Sequence, residues 1–106
     1  MAENIGNILF PTKTYQLAVG EEVDTGFNNY GLYLIRSTSN GITAILLIGT
    51  NPNVTVMIGG ESSFATDFAT TSSRIIVNRK SSNGSICVKN NTSIERQFQI
   101  RRFRIL

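Results

Sequence analysis

The sequence predicts an all-β fold, a small antiparallel β-sandwich or barrel-like domain built on two Asn-Gly hairpins. Three observations lead there. Short runs rich in Ile, Val, Leu, Tyr and Phe alternate with polar residues at period two, the spacing of a strand with one buried face. Ser, Thr and Asn make up nearly a third of the chain and charged residues only 16%, so the gaps between runs are turn-forming. The pattern of apolar run, Asn-Gly and second apolar run occurs twice, at Asn40-Gly41 and Asn83-Gly84. A chain of 106 residues suffices for one core, so 1–106 is read as a single domain with 1–12 as an N-terminal arm.

Taken in order, Ile5 to Phe10 is an apolar run stopped by Pro11, which lacks a ladder donor and confines the run to an edge or an arm. Lys13 to Val19 alternates, with Tyr15, Leu17 and Val19 on one side, and Gly20 ends it. Glu21, Glu22 and Asp24 read as a solvated strand or turn, since a Ca²⁺ loop needs more oxygen ligands at staggered spacing. Gly31 to Gly49 is the first hairpin, with Ser39 expected opposite Ile42 across a two-residue type I′ turn. One face carries Leu32, Leu34, Ile45 and Leu47, the other Tyr33, Ile35, Ile42, Ala44, Leu46 and Ile48. A pair of strands apolar on both sides must be covered on both, by a second sheet and a loop or by another copy of the chain.

Asn51-Pro52-Asn53 is a turn, and Val54, Val56 and Ile58 are expected to point inward from the strand that follows. Glu61 to Ser73 reads as a loop whose Phe64 and Phe68 plug an end of the core. The second hairpin runs from Arg74 to Asn91, with Ser82 expected opposite Ser85. Ile75, Val77, Ile86 and Val88 form its apolar face; Ile76, Asn78, Lys80, Cys87 and Lys89 form a mostly wet one, where Asn78→Asp should cost little. The last strand, Ile94 to Leu106, points Ile94, Phe98 and Ile100 inward and then shifts parity to Phe103 and Ile105, as a β-bulge at Arg101-Arg102 would do. The two hairpins align with Leu32 on Ile75, Arg36 on Arg79 and Ser39-Asn40-Gly41 on Ser82-Asn83-Gly84, a weak sign of duplication.

Histidine is absent, which removes the commonest general base and metal ligand and every Ser-His or Cys-His pairing. Glu61 with Asp67 is the one loop pair of carboxylates to weigh for glycoside chemistry. Gly59-Gly60-Glu61-Ser62 lacks the Lys and helix of a phosphate loop. The chain is therefore expected to be no enzyme and to use no cofactor or metal. Cys87 is the only cysteine, so no intrachain disulfide forms; a Lys80 opposite it would lower its pKa, but a small packed residue is the simpler reading. The N-terminus lacks the basic and apolar regions of a signal peptide, and no run is long enough for a membrane helix. The sequons at Asn53, Asn83, Asn90 and Asn91 are then incidental.

The net charge is only +3, yet Arg96, Arg101, Arg102 and Arg104 crowd the C-terminal end. Arg101, Arg102 and Arg104 around Phe103 are ingredients of a single-strand nucleic-acid surface. The small net charge and the lack of a stripe of stacking aromatics favour instead an edge strand guarded by charge, or an interface strand pairing with Glu21, Glu22 or Asp24 of a neighbour.

Ile75-Ile-Val-Asn-Arg79, Ser85-Ile-Cys-Val-Lys-Asn-Asn-Thr92 and Ile100-Arg-Arg-Phe-Arg-Ile105 resemble small β-modules of bacteriophage virion proteins, above all the C-terminal parts of tail and head fibres. The resemblance covers roughly residues 31 to 106 and rests on a strand, an Asn-Gly turn, a Lys-Asn-Asn-Thr turn and a last strand. It implies a homo-oligomeric structural or adhesive protein, commonly a trimer, assembled in the host cytoplasm into a virion. It carries over no catalytic residue. Because this sequence opens on its own Met1, both a fibre cap and a shell decoration stay open. From the residues themselves, self-association is expected through the hairpin face of Tyr33, Ile35, Ile42, Leu46 and Ile48, or through the opposite face with Leu34 and Leu47, the N-terminal arm reaching to a neighbour. The alternative is a β-module that binds carbohydrate or nucleic acid through surface loops or the Arg-rich strand.

Overall fold

The computed structural model describes residues 11–103 and is all-β. Its strands are β1 (Thr12–Leu17), β2 (Glu22–Asp24), β3 (Gly31–Ser37), β4 (Thr43–Ile48), β5 (Val56–Ile58), β6 (Phe64–Ala65), β7 (Arg74–Arg79), β8 (Ile86–Asn91) and β9 (Arg96–Arg102), with a 3-10 turn at Pro52–Val54 between β4 and β5. A five-stranded sheet in the order β1-β9-β3-β4-β5 packs on a four-stranded sheet in the order β2-β8-β7-β6. All neighbours are antiparallel except β6 and β7, which run parallel. This is a small β-sandwich. Ile5 to Phe10, Arg104 and Ile105 lie outside the described residues.

The core is the side-chain layer between the sheets. The larger sheet contributes Leu17, Tyr33, Ile35, Ala44, Leu46, Ile48, Phe98 and Ile100; the smaller contributes Phe64, Ile75, Val77, Ile86 and Val88. Phe27, from the β2–β3 connection, closes one end against Tyr33 with ring centroids 5.5 Å apart. Burial alternates strictly along β4 and β8, as period-two patterning requires.

Neither Asn-Gly pair forms the expected two-residue turn. Ser37 pairs with Ile42 around a loop of residues 38–41, and Arg79 faces Ile86 around a loop of residues 80–85. A type I′ turn needs two positive φ angles, but only Gly41 (φ +73°) adopts one in the first loop and only Asn83 (φ 58°) in the second. Local and tertiary bonds hold the longer loops: Gly41 N–H donates to Ser37 O, and Asn83 N–H donates at 2.7 Å to Thr50 O in the β4–β5 connection. The expected registers would set Arg36 opposite Ile45 and Arg79 opposite Val88; the observed partners are Thr43 and Ile86. Both displacements are even, so every side chain keeps its face.

Other expectations are corrected by packing. β1 ends at Leu17, leaving Val19 exposed in a turn. On β5 the inward residue is Met57, while Val54, Val56 and Ile58 point to solvent. β9 pairs regularly with β3 through Arg102, so there is no bulge at Arg101-Arg102, and Ile94 is exposed. β9 lies between β1 and β3 and is no edge strand. Phe64 fills the core from β6, whereas Phe68 sits half-buried near the Lys80 ammonium.

The expected wet face of the β7–β8 hairpin is covered instead. Ile76 is fully buried and Asn78 only 4% exposed. The chain after β6 crosses that face, held by Asn78 Nδ2 on Thr66 O and Asn91 Nδ2 on Thr70 O and Ser72 O. The hairpin alignment holds in register, since Arg36 faces Thr43 as Arg79 faces Ile86, but the buried face is exchanged. It sets exposed Leu32 and Arg36 on buried Ile75 and Arg79, in different sheets.

Candidate functional site: an apolar outer sheet face beside a polar cleft

The outer face of β3, β4 and β5 carries two cross-strand rows of aliphatic side chains. Register aligns Leu32, Leu47 and Val56 in one row and Leu34, Ile45 and Ile58 in the next. Leu34 is half-buried; the other five are 37% to 52% exposed. Val54 and Tyr30 extend the patch, bordering a shallow groove of about 350 Å³ with Leu32 and Leu47. None of these eight residues is charged. The face turns polar toward β9, where Arg36 and Arg101 flank Leu34 at a depression of about 220 Å³.

Of the residues expected at an oligomer interface, Tyr33, Ile35, Leu46 and Ile48 lie in the core and Ile42 packs partly against it. The smaller sheet covers them, so that face supplies no surface for a partner. Leu34 and Leu47 do lie on the outside. The Tyr33 hydroxyl donates to Asn29 O at 2.7 Å, and burial raises its pKa against the opposing charges of Arg102 and Arg79. Leu32 and Ile45 were legible as companions of Leu34 and Leu47. Val56 and Ile58 were placed on the wrong side, because alternation groups residues by face without saying which face meets the core.

Three segments distant in sequence form a cleft of about 440 Å³: the Pro52–Thr55 stretch, Thr66 to Phe68, and Asn78 to Lys80. Asn78 builds its floor. Its Oδ1 accepts from Thr55 Oγ1 and Arg79 N–H, while Nδ2 donates to Pro52 O and Thr66 O, using all four bonding capacities of the amide. Asp67 caps a turn by accepting from Ala69 N–H through Oδ1, and Lys80 is held by Glu22 at 2.9 Å, which raises its pKa. Among the described residues the Asn53 side-chain amide, the Thr66 hydroxyl and the second Asp67 oxygen have no hydrogen-bond partner, and the Phe68 ring lies 5.3 Å from the Lys80 ammonium. Glu61 does not line this cleft, so the two weighed carboxylates do not share a site.

Among the described residues, Arg101 and Arg102 do not share one surface. Arg101 points outward and donates Nε to Thr12 Oγ1 at 2.9 Å, whereas Arg102 points inward, its Nε buried without a partner among the described residues. Glu21 and Asp24 accept backbone N–H groups of Ala18 and Gly26. Cys87 lies opposite Asp24 and Asn78 rather than Lys80, and burial followed by the charges of Asp24 and Glu22 pushes its thiol up. Arg79, which sequence reading passed over, is 1% exposed and donates to Gly49 O at 2.7 Å and Gly84 O at 2.5 Å, tying both hairpins together. No protein-family model matches the chain, and neither does any curated protein or solved structure.

Proposed function

We propose that the chain is a non-enzymatic structural protein of a virion that assembles with identical copies through the outer face of β3, β4 and β5. The observation that carries the assembly reading is the double aliphatic row from Leu32 to Ile58 on the outside of a folded sandwich. Fully burying such a side chain is worth ~1.5–3 kcal/mol, so covering the exposed half of six is worth roughly 5 kcal/mol per copy. Twice that is comparable to the ~4–15 kcal/mol that association costs, so pairing stands or falls with these six residues. A second copy is the occupant that fits, since uncharged rows meet about a symmetry axis without like-charge repulsion, and Arg36 and Arg101 remain at the rim. The short β5 at the edge leaves backbone groups that a copy can also pair. The virion assignment draws on the resemblance of the β7–β8 hairpin and last strand to phage fibre modules; the missing histidine supports a role without turnover.

Light scattering after size exclusion at micromolar concentration tests this reading. Wild type is expected to run as a discrete oligomer, a trimer in the fibre reading, and Leu47→Asp/Ile58→Asp as a folded monomer. A monomeric wild type, or a double variant that keeps the oligomer, overturns it. Portal, capsid or tail genes are the expected genomic neighbours.

A second reading, a carbohydrate-binding module, is favoured by the cleft beside Asp67. A carboxylate, an amide, a hydroxyl and a ring edge in about 440 Å³ suit a polyol of one or two sugar rings. Calorimetry against a glycan panel, with Asp67→Ala as control, separates it from the first.

A further inference from the structure

At the end of the sandwich where the β3–β4 loop begins, Ser37, Ser62, Ser63, Ser73, Thr92 and Arg96 surround a cavity of about 30 Å³, room for one or two water-sized occupants. The sheets meet here. Ser37 and Arg96 come from β3 and β9, and Thr92 follows β8; Ser63 is pinned beside β7 by the Ile75 N–H donating to its carbonyl at 2.8 Å. Ser37 is 1% exposed, and its Oγ has no hydrogen-bond partner among the described residues. A buried hydroxyl without an acceptor costs stability unless something fills the space it faces. Arg96 donates Nε to Thr92 Oγ1 at 3.2 Å, and its terminal nitrogens have no partner among the described residues. That Thr92 hydroxyl is itself committed, lying 2.6 Å from Asn90 Oδ1 and 2.9 Å from Ile94 O. No carboxylate lines the cavity.

We propose that this cavity binds a small monovalent anion of halide size, held by the Arg96 guanidinium and the ring of serine hydroxyls. The lining has one formal charge, which is positive, and each of its serine hydroxyls can turn a proton toward the occupant. Water would satisfy the hydroxyls; an anion would in addition give the half-buried Arg96 guanidinium a counter-charge, where it otherwise meets only solvent. A sulfate or phosphate is too large for the space. The anion joins the larger sheet, through Ser37 and Arg96, to the loops flanking β6 and β7, so binding stabilises the closed sandwich.

The test is thermal unfolding of the full chain at constant ionic strength, with sodium gluconate replaced stepwise by sodium chloride or bromide. Once the halide exceeds its Kd several-fold, the midpoint of wild type should rise by roughly 4 to 8 °C, while sulfate at equal ionic strength gives no saturable rise. Ser37→Ala supplies a signature that a merely structural hydroxyl would not. In gluconate it should match or exceed wild type, because the orphaned donor is gone, yet it should lose most of the halide response. Arg96→Gln should abolish that response. Should either variant fail to fold, wild-type crystals in bromide give the same answer through an anomalous peak between Ser37 and Arg96. Equal midpoints in chloride and gluconate, or a water without anomalous signal in the cavity, overturn the proposal.

Discussion

Asn78→Asp replaces one atom and should destabilise the domain severely. The amide nitrogen donates to Pro52 O at 3.1 Å and Thr66 O at 2.9 Å, and the residue is only 4% exposed. An ionised aspartate would place a second acceptor against two carbonyl oxygens. Two hydrogen bonds are lost at about 1 kcal/mol each, and partly buried carbonyls are left bare, for a total of about 2–4 kcal/mol. In a domain of this size each kcal/mol moves the melting midpoint by ~4–8 °C, so a fall of roughly 10–25 °C is expected at pH 7. Protonation relieves part of this, because a carboxylic acid regains one donor. The new carboxyl is buried beside acceptors, so its folded pKa lies above the unfolded value of ~3.9. The penalty is thus smallest below pH ~3.9 and grows as pH rises through the folded pKa. Urea unfolding of wild type and variant across that range, with Asn78→Ala as the uncharged control, measures it. A cost under ~0.5 kcal/mol at pH 7 would show that Asn78 does not brace the two loops.

Arg79→Met keeps much of the side-chain volume but leaves Gly49 O and Gly84 O unpaired between the hairpins; a loss of about 2–4 kcal/mol in urea unfolding is expected, and wild-type stability would refute the role assigned to this arginine. The Cys87 thiol is pushed up mainly by burial, so iodoacetamide at pH 8 should alkylate the folded chain several-fold more slowly than the urea-unfolded one. Its raised folded pKa also means that its contribution to stability is present at neutral pH and lost as pH rises through that value; equal alkylation rates would contradict both statements.

The sequence by itself determined the all-β class, with sandwich and barrel both open, most of the strands though not β6, and the grouping of most strand residues by face. Alternation is a local property, and it survived two wrong turns because a strand slipped by an even number of residues keeps its faces. Ile75, Val77, Ile86 and Val88 therefore reached the core although their hairpin loop is longer than a two-residue turn. Tertiary structure alone decided which face of β3 and β4 went inside, since a strand pair apolar on both sides carries no signal of what packs against it. It turned Tyr33, Ile35, Leu46 and Ile48 into core and left Leu32, Ile45 and Leu47 outside with Val56 and Ile58. It also decided the fate of the buried polar groups. Asn78 and Arg79 can be buried only because carbonyls of Pro52, Thr66, Gly49 and Gly84 are brought to them, and those partners are as many as 30 positions away in the chain. The cleft and the hydroxyl-lined cavity have the same origin: each collects residues from strands and loops distant in the chain, and such collections exist only once the two sheets have closed.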